Sequence, residues 1–221
     1  MIKKIVRRIQ FYRSICFFRY LYLNYCCKSV IRVDQSRIIP YKCTILEVAH
    51  DAKIYLRNGD IEIGCDRIRG SKAETRIRLY QQSVWSCEGG CKISYGSTIE
   101  LLHHAMLDTQ FFTMNSDSVL IAASKIQMGQ DVMIGRGVVI YDSDYHAIQD
   151  YQGKTINPDI PVHIKDHVWL ATHVTVLKGS CIGEGSVVSA NSEVRGTIPP
   201  HTLYRRGDQA VCPGEWSRSH P

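Results

Sequence analysis

Titratable side chains concentrate between residues 141 and 163. They include Asp142, Asp144, His146, Asp150, Lys154 and His163. His146 is the strongest candidate for a general base, because an imidazole titrates near neutral pH and can accept a proton in the physiological range. Asp144 lies two residues earlier, and alternation along an extended strand would put both side chains on one face. The alternative interpretation is a loop histidine that only contacts solvent.

The sequence that follows this segment repeats every six residues. The first residue of each six-residue repeat is aliphatic, and we call these positions the aliphatic phase. The residue four places later is small or aliphatic. The first set is Ile164, Leu170, Val176, Ile182, Val188 and Val194, and the second is Val168, Val174, Ser180, Ser186, Ser192 and Ile198. A period of six fits neither an amphipathic helix nor an alternating strand. It is typical of a β-helix with three flat faces, in which three hexads make one turn. A β-sandwich is the less favoured alternative, because its strands would alternate with period two.

The same phase continues upstream of the titratable segment. Met128, Ile134 and Ile140 occupy the aliphatic position, and Ile140 to Ile164 is four hexads. The segment 141–163 can therefore leave the coil as a loop and return in phase. Loops held on a rigid scaffold often carry function.

The rest of the chain is less regular. Residues 34–127 contain short β-rich runs broken by glycine and asparagine turns, which indicates irregular coils of the same solenoid. We expect the β-helix over residues 41–198 and a separate helical segment over 1–40. A tail over 199–221 begins with two prolines, which end the coil register, and runs back along the solenoid or across to a neighbour.

Residues 1–33 carry eight Lys or Arg side chains and no acid, so the remainder of this +6 chain is −2. Apolar residues recur there at spacings of three and four, which predicts an amphipathic helix. It either contacts an anionic membrane surface or caps the open end of the β-helix. Nucleic acid is not an expected partner, because the aromatic residues form no stacking platform.

The chain contains nine cysteines without a repeated spacing, and no run of eighteen apolar residues. An odd number of unpatterned cysteines favours reduced thiols in the cytosol. We therefore expect a cytoplasmic protein, peripheral on the inner face of the membrane if the basic segment binds lipid.

Two stretches resemble a known family. They are MGQDVMIGRGVVIYDSDYHAI (128–148) and VHIKDHVWLATHVTVLKGSCIGEGSVVSANSEVRGTIPPHTLY (162–204). Both are similar to hexapeptide-repeat acyltransferases, and most similar to the branch of galactoside, maltose and xenobiotic O-acetyltransferases and the acetyltransferases of capsule and lipopolysaccharide gene clusters. The resemblance is specific over about 115–207 and absent from 1–40. It implies a left-handed parallel β-helix and a homotrimer with sites between subunits.

The resemblance also implies a reaction, in which acetyl-CoA gives its acetyl group to a sugar hydroxyl of a bacterial surface polysaccharide or its precursor. His146 matches the family's general base. Asp144 would orient the imidazole or bind the acceptor, and Asn115 matches an acceptor-binding asparagine.

For the co-substrate, the resemblance assigns Trp169 to the thiol end and the backbones of Thr172 and Ala190 to the pantetheine arm. Those two residues are eighteen apart, so they should stack on one face, as a linear ligand requires. Arg195 matches a residue near the nucleotide phosphates, and Lys178 would add charge there. The family's terminal motif is altered at 207–210, so the resemblance is weaker at the end of the site that would bind the nucleotide of CoA.

Two other functions stay open. The chain would be a non-catalytic β-helical scaffold if the altered motif abolished CoA binding. His163, His167 and His173 also suggest a metal-dependent enzyme similar to the β-helical carbonic anhydrases. The positions two 18-residue turns before the latter two are Asp131 and Gly137, so no metal is expected.

Overall fold

The structure is a computed structural model that describes residues 14–206, 208–211 and 214–218. Almost all of this part of the chain winds into a parallel β-helix with three sheets. Each turn contributes one strand to each sheet, and the aliphatic side chains fill the interior. No helix in the described ranges is long and apolar enough to cross a membrane.

Eight parallel strands form the first sheet. In spatial order they are β1 (Val30–Arg32), β4 (Lys53–Arg57), β7 (Val84–Glu88), β10 (Met106–Thr109), β13 (Lys125–Met128), β16 (Val162–Ile164), β19 (Cys181–Ile182) and β22 (Thr197–Ile198).

The second sheet has nine strands, of which the last pairs in antiparallel fashion with its neighbour. They are β2 (Ile38–Pro40), β5 (Ile61–Cys65), β8 (Cys91–Ser94), β11 (Phe112–Met114), β14 (Val132–Ile134), β17 (Trp169–Leu170), β20 (Val187–Val188), β23 (Thr202–Arg205) and β24 (Asp208–Val211).

The third sheet has seven strands. They are β3 (Thr44–Val48), β6 (Thr75–Leu79), β9 (Thr98–Leu101), β12 (Val119–Ala122), β15 (Val139–Tyr141), β18 (Thr175–Val176) and β21 (Glu193–Val194).

The hexad pattern is confirmed from Ile164 to Val194. In the last turn it is wrong by two residues, since Ile198 pairs with Ile182 and so takes the aliphatic position instead of the fifth one. Ile164 pairs with Ile182, and Val176 pairs with Val194, each eighteen residues later. All six residues of the aliphatic phase are buried, and so are those four places later. Serine fits the second position because its hydroxyl bonds the backbone at a corner. Ser186 Oγ, for example, donates to the Pro199 carbonyl over 2.9 Å.

The earlier turns are longer and wider. Ile54 pairs with Trp85, 31 residues later. Trp85 and Phe112 are both fully buried and fill the larger cross-section. The coil begins at β1, eleven residues before the expected start at 41, and β23 extends it beyond the expected end at 198.

A short helical segment covers the open end of the first turn. It consists of α1 (Phe17–Leu21) followed by one π-helical turn (Tyr22–Cys26). Leu23 is buried in the core, and Asn24 makes a reciprocal pair of hydrogen bonds with the backbone of Ile38, at 2.8 and 3.0 Å. The helical segment therefore caps the end of the β-helix. The predicted helix extends upstream of residue 14 and lies in part outside the described residues.

Candidate active site

The titratable segment leaves the coil between β15 and β16, as the hexad phase predicts, and the two flanking turns stay in register. Asp142 holds the beginning of this loop in place. Its buried carboxylate accepts the backbone N–H groups of Ala123 at 2.7 Å and Ser124 at 2.9 Å. Burial raises the pKa of Asp142, although these hydrogen bonds oppose the shift. The loop is therefore anchored to the turn below it.

His146 is exposed on this loop. Its backbone is held at both ends, because its N–H donates to the Asp144 carbonyl at 2.7 Å and its own carbonyl accepts from Asn157 Nδ2 at 2.9 Å. The ring lines a cavity of about 450 Å³ with Tyr145 and His103. No hydrogen bond joins the imidazole to another residue in the described ranges, so its basic nitrogen is open to a substrate.

Asp144 does not orient the imidazole in this chain. Its carboxylate accepts from Lys178 Nζ at 2.5 Å and from Asn157 Nδ2 at 3.0 Å. Those two hydrogen bonds, that from Lys178 first, lower the pKa of Asp144. Asp144 therefore closes the base of the loop.

Lys178 differs most from its expected role at the nucleotide phosphates. Besides Asp144, its ammonium donates to the carbonyls of Asn157 and Pro158, both at 3.1 Å, and its side chain is 14% exposed. An ammonium has three donors, and all three are used. These contacts indicate that Lys178 holds the loop in place, and its role at the nucleotide phosphates stays a prediction.

A second site lies on the corner between the second and third sheets. Asn115, Trp169, Thr172 and Ala190 all line one cleft of about 680 Å³. Each lies in or just after a strand of the second sheet, so the turns stack them along the solenoid axis. The corner is tight, since a Cβ on Gly135 would come within 2.9 Å of backbone atoms of the turn above.

A cavity of about 360 Å³ is lined by Asn191, Arg195 and Arg206. Arg206 follows β23 and lies at this corner, where its backbone N–H donates to Ser192 Oγ at 3.2 Å, whereas Arg195 follows β21 at the opposite edge of the third sheet. Asn191 directly follows Ala190 of the cleft, so this cavity begins next to it. The Arg195 guanidinium pairs with Glu193 at 2.6 Å, which reduces the net positive charge at this end. Of the altered motif, Gly207 lies outside the described residues, and 208–210 belong to β24.

His146 and the cleft lie at opposite edges of the third sheet. The loop follows β15, where the chain passes from the third sheet to the first. The cleft follows β11, β14, β17 and β20, where it passes from the second to the third. One chain therefore brings the predicted acceptor and pantetheine residues together but does not bring His146 to them.

The C-terminal tail runs back along the solenoid, one of its two expected courses, and reaches the cleft, a contact that the sequence analysis did not predict. Ser217 and Arg218 line it, and the Trp216 ring stacks on His167 with a centroid distance of 4.2 Å. The only feature of the sequence that could have indicated this contact is a tryptophan in a short polar tail.

The histidines do not gather around a metal position. His167 Nδ1 lies 2.8 Å from Asp131, one coil below, because residues 142–161 leave the solenoid between them. The expected separation of two coils is therefore wrong. No group of three or more potential metal ligands occurs in the part of the chain that the structure describes.

A parallel β-helix whose turns from Ile164 to Val194 repeat every eighteen residues is typical of hexapeptide-repeat proteins. No family model matches the chain. A protein of Schizosaccharomyces pombe that carries the provisional name acetyltransferase is 34% identical over 149 residues, which cover 66% of this chain and 69% of that protein. WbbJ of Escherichia coli strain K12, provisionally named a lipopolysaccharide biosynthesis O-acetyltransferase, is 37% identical over 107 residues, covering 42% of this chain and 54% of WbbJ.

The crystal structure of the polysialic acid O-acetyltransferase OatWY aligns with 87% of this chain and 92% of that chain, with a TM-score of 0.60 and 20% identity. This likeness supports the fold. The chain belongs to the hexapeptide-repeat acetyltransferase family. Its fold is the left-handed parallel β-helix that the sequence predicts.

Proposed function

We propose that this protein transfers an acetyl group from acetyl-CoA to a sugar hydroxyl of a bacterial surface polysaccharide or its precursor. The observation that carries the proposal is the groove along the corner of the second and third sheets. Trp169, Thr172 and Ala190 follow one another along it, Arg206 lies at its far end, and Arg195 lines the same end cavity from the other edge of the third sheet. A linear groove with cations at one end fits the pantetheine arm and phosphates of CoA.

We further propose that the working site forms between copies of the chain in a homotrimer. The supporting observation is the separation of the two half-sites across the third sheet. A rotation axis that places the His146 loop of one copy against the Asn115–Ala190 corner of the next repeats this contact three times and closes. The loop exposes Ile148, Tyr151 and Ile156, apolar surface of the kind that a neighbouring chain would cover.

In the proposed reaction, His146 accepts the proton of the acceptor hydroxyl as its oxygen attacks the thioester carbonyl. The C–S bond then breaks, and the CoA thiolate leaves and takes the proton from the imidazolium. Backbone N–H groups at the coil corners would stabilise the tetrahedral oxyanion. No covalent acyl-enzyme is needed. Asn115 lies at the thiol end of the groove, beside Trp169, where it would hold the acceptor.

A peripheral contact with the inner face of the membrane is part of the same proposal. Phe17, Phe18 and Tyr25 are more than half exposed on the N-terminal cap, close in sequence to Arg19 and Lys28. Exposed aromatic rings beside cations suit the interface of an anionic bilayer. This contact would bring a lipid-linked acceptor to the enzyme.

The test is acetyl-CoA binding by calorimetry, with turnover followed as release of free thiol, on wild type and His146→Ala. We expect equal binding and a loss of turnover of about 10²- to 10⁴-fold in the variant, the usual contribution of a general base. Absence of acetyl-CoA binding by the wild type would overturn the proposal and favour the scaffold. Equal turnover of both proteins would remove His146 from the mechanism.

A further inference from the structure

We infer that the C-terminal segment 214–218 is part of the acetyl-CoA site, and that Trp216 is a positioning residue for Trp169. This inference rests on the proposed function. Ser217 and Arg218 line the same cleft as Trp169 and Thr172. Trp216 lies behind that wall and is 9% exposed, so its indole packs against the solenoid.

Trp216 makes three directed contacts with the turn that carries Trp169. Its ring stacks on the His167 imidazole with a centroid distance of 4.2 Å and an interplanar angle of 6°. Its Nε1–H donates to the His167 carbonyl at 2.9 Å, and its own carbonyl lies 3.1 Å from His167 Nε2. The rings of Trp216 and Trp169 are 6.2 Å apart and tilted by 49°. Such geometry restricts the Trp169 indole from the side away from the cleft.

Arg218 fixes the other end of the segment on the same face. Its guanidinium donates to Asp131 at 2.5 Å, to Thr113 Oγ1 at 2.7 Å and to the Val132 carbonyl at 3.0 Å. It also lies 5.3 Å from the centre of the Phe111 ring. All three guanidinium nitrogens are therefore bonded to the protein, and Arg218 acts as a clamp.

Asp131 joins the two ends, because one of its oxygens faces Arg218 and the other lies 2.8 Å from His167 Nδ1. The clamp and the stacked pair thus share one carboxylate. Without the segment, the Trp169 indole would lose its contact with Trp216, and the cleft would lose the side that Ser217 and Arg218 form. The proposed nucleotide end is the separate cavity of Arg195 and Arg206, and among the described residues none of the segment lines it.

This division gives a test with two probes, acetyl-CoA and its nucleotide fragment 3′-phospho-ADP, titrated calorimetrically against purified full-length variants. Trp216→Ala should raise the Kd for acetyl-CoA about three- to tenfold, the range for one lost aromatic pair. The Kd for 3′-phospho-ADP should stay within twofold. Trp216→Phe, which keeps the stacked ring, should recover most of the acetyl-CoA affinity. Asp131→Asn, which weakens the clamp and keeps the ring, should shift the acetyl-CoA Kd in the same direction by less.

Tyr55→Ala is the matched control, an aromatic truncation on the outer face of the first sheet, and should change neither Kd. Equal loss of both probes in Trp216→Ala, or no recovery in Trp216→Phe, would mean a general packing role and overturn the inference. An unchanged acetyl-CoA Kd in Trp216→Ala would overturn it too, and would leave the proposed function intact. If the wild type binds neither probe, the proposed function fails and the inference fails with it.

Discussion

The two edges of the third sheet are built in different ways. At the edge next to the first sheet, the chain leaves the solenoid for a loop that side chains hold in place, chiefly Asp142, Asp144 and Lys178. At the edge next to the second sheet, the cleft is made of coil corners whose backbones stack turn on turn. The difference fits the proposed function, in which a linear ligand would bind the rigid corner and the proposed base His146 lies on the loop.

The largest effect should come from separating the two edges onto different chains. Ala190→Trp would fill the cleft, and His146→Ala would remove the base, so each homogeneous variant should lose at least about 100-fold in turnover. Chains mixed 1:1 in denaturant and refolded should regain about a quarter of wild-type activity. Each site needs an intact loop from one copy and an intact cleft from the next, and each occurs with a probability of about one half.

Thiol release from the mixture measures this recovery. Each variant denatured and refolded alone is the control, and its activity must stay at the background level. A mixture that is no more active than its components would mean that one chain supplies the whole site.

Removal of the loop anchor should have the next largest effect, on stability. Asp142→Ala leaves the buried N–H groups of Ala123 and Ser124 without their acceptor. We expect the free energy of unfolding to fall by about 1–3 kcal/mol. The raised pKa of Asp142 favours the lower part of that range, because burial already disfavours its charged form. Urea denaturation gives the value. Glu184→Ala, at an exposed corner, should change it by less than about 0.5 kcal/mol; equal losses in both variants would argue against a special anchor.

Lys178→Met tests whether this lysine serves the loop or the nucleotide. If it anchors the loop, turnover should fall about tenfold, since a displaced base is poorly oriented, while acetyl-CoA affinity stays constant. If it binds phosphate, the Kd should rise instead. Lys154→Met, an exposed lysine on the same loop, is the control and should behave as wild type.

The sequence predicts the fold best where the turns are uniform. From Ile164 to Val194 each turn has eighteen residues, so the aliphatic phase persists and register follows from counting. The last turn is shorter, since Ile182 pairs with Ile198 after sixteen residues. Upstream, Leu107 pairs with Ile126 after 19 residues, whereas Ile54 pairs with Trp85 after 31. Corner insertions of different length erase the period there. For this reason the start of the coil at Val30 does not appear as a pattern.

The same distinction applies to the residues of the candidate site. The stacking of Thr172 and Ala190 follows from the uniform period, and the structure places them in one cleft. The partners of Lys178 and Trp216 do not follow, because they depend on where the loop 142–161 and a terminal tail fold back. Lys178 meets Asp144, 34 residues earlier, and Trp216 meets His167, 49 residues earlier. No local spacing encodes such contacts.

The smallest expected effect concerns the pH dependence of the loop contact. Hydrogen bonds from Lys178 and Asn157 lower the folded-state pKa of Asp144, so its stabilising contribution is complete above the ordinary carboxyl value of about 3.9. It is lost as the pH falls through the lower folded value. The difference in Tm between wild type and Asp144→Asn should therefore be constant from about pH 7 to pH 5 and disappear in stronger acid. The difference should also shrink in 1 M salt, because an exposed ion pair is screened. A difference that grows as the pH falls would mean that Asp144 is protonated when the loop is in place, and would contradict its pairing with Lys178.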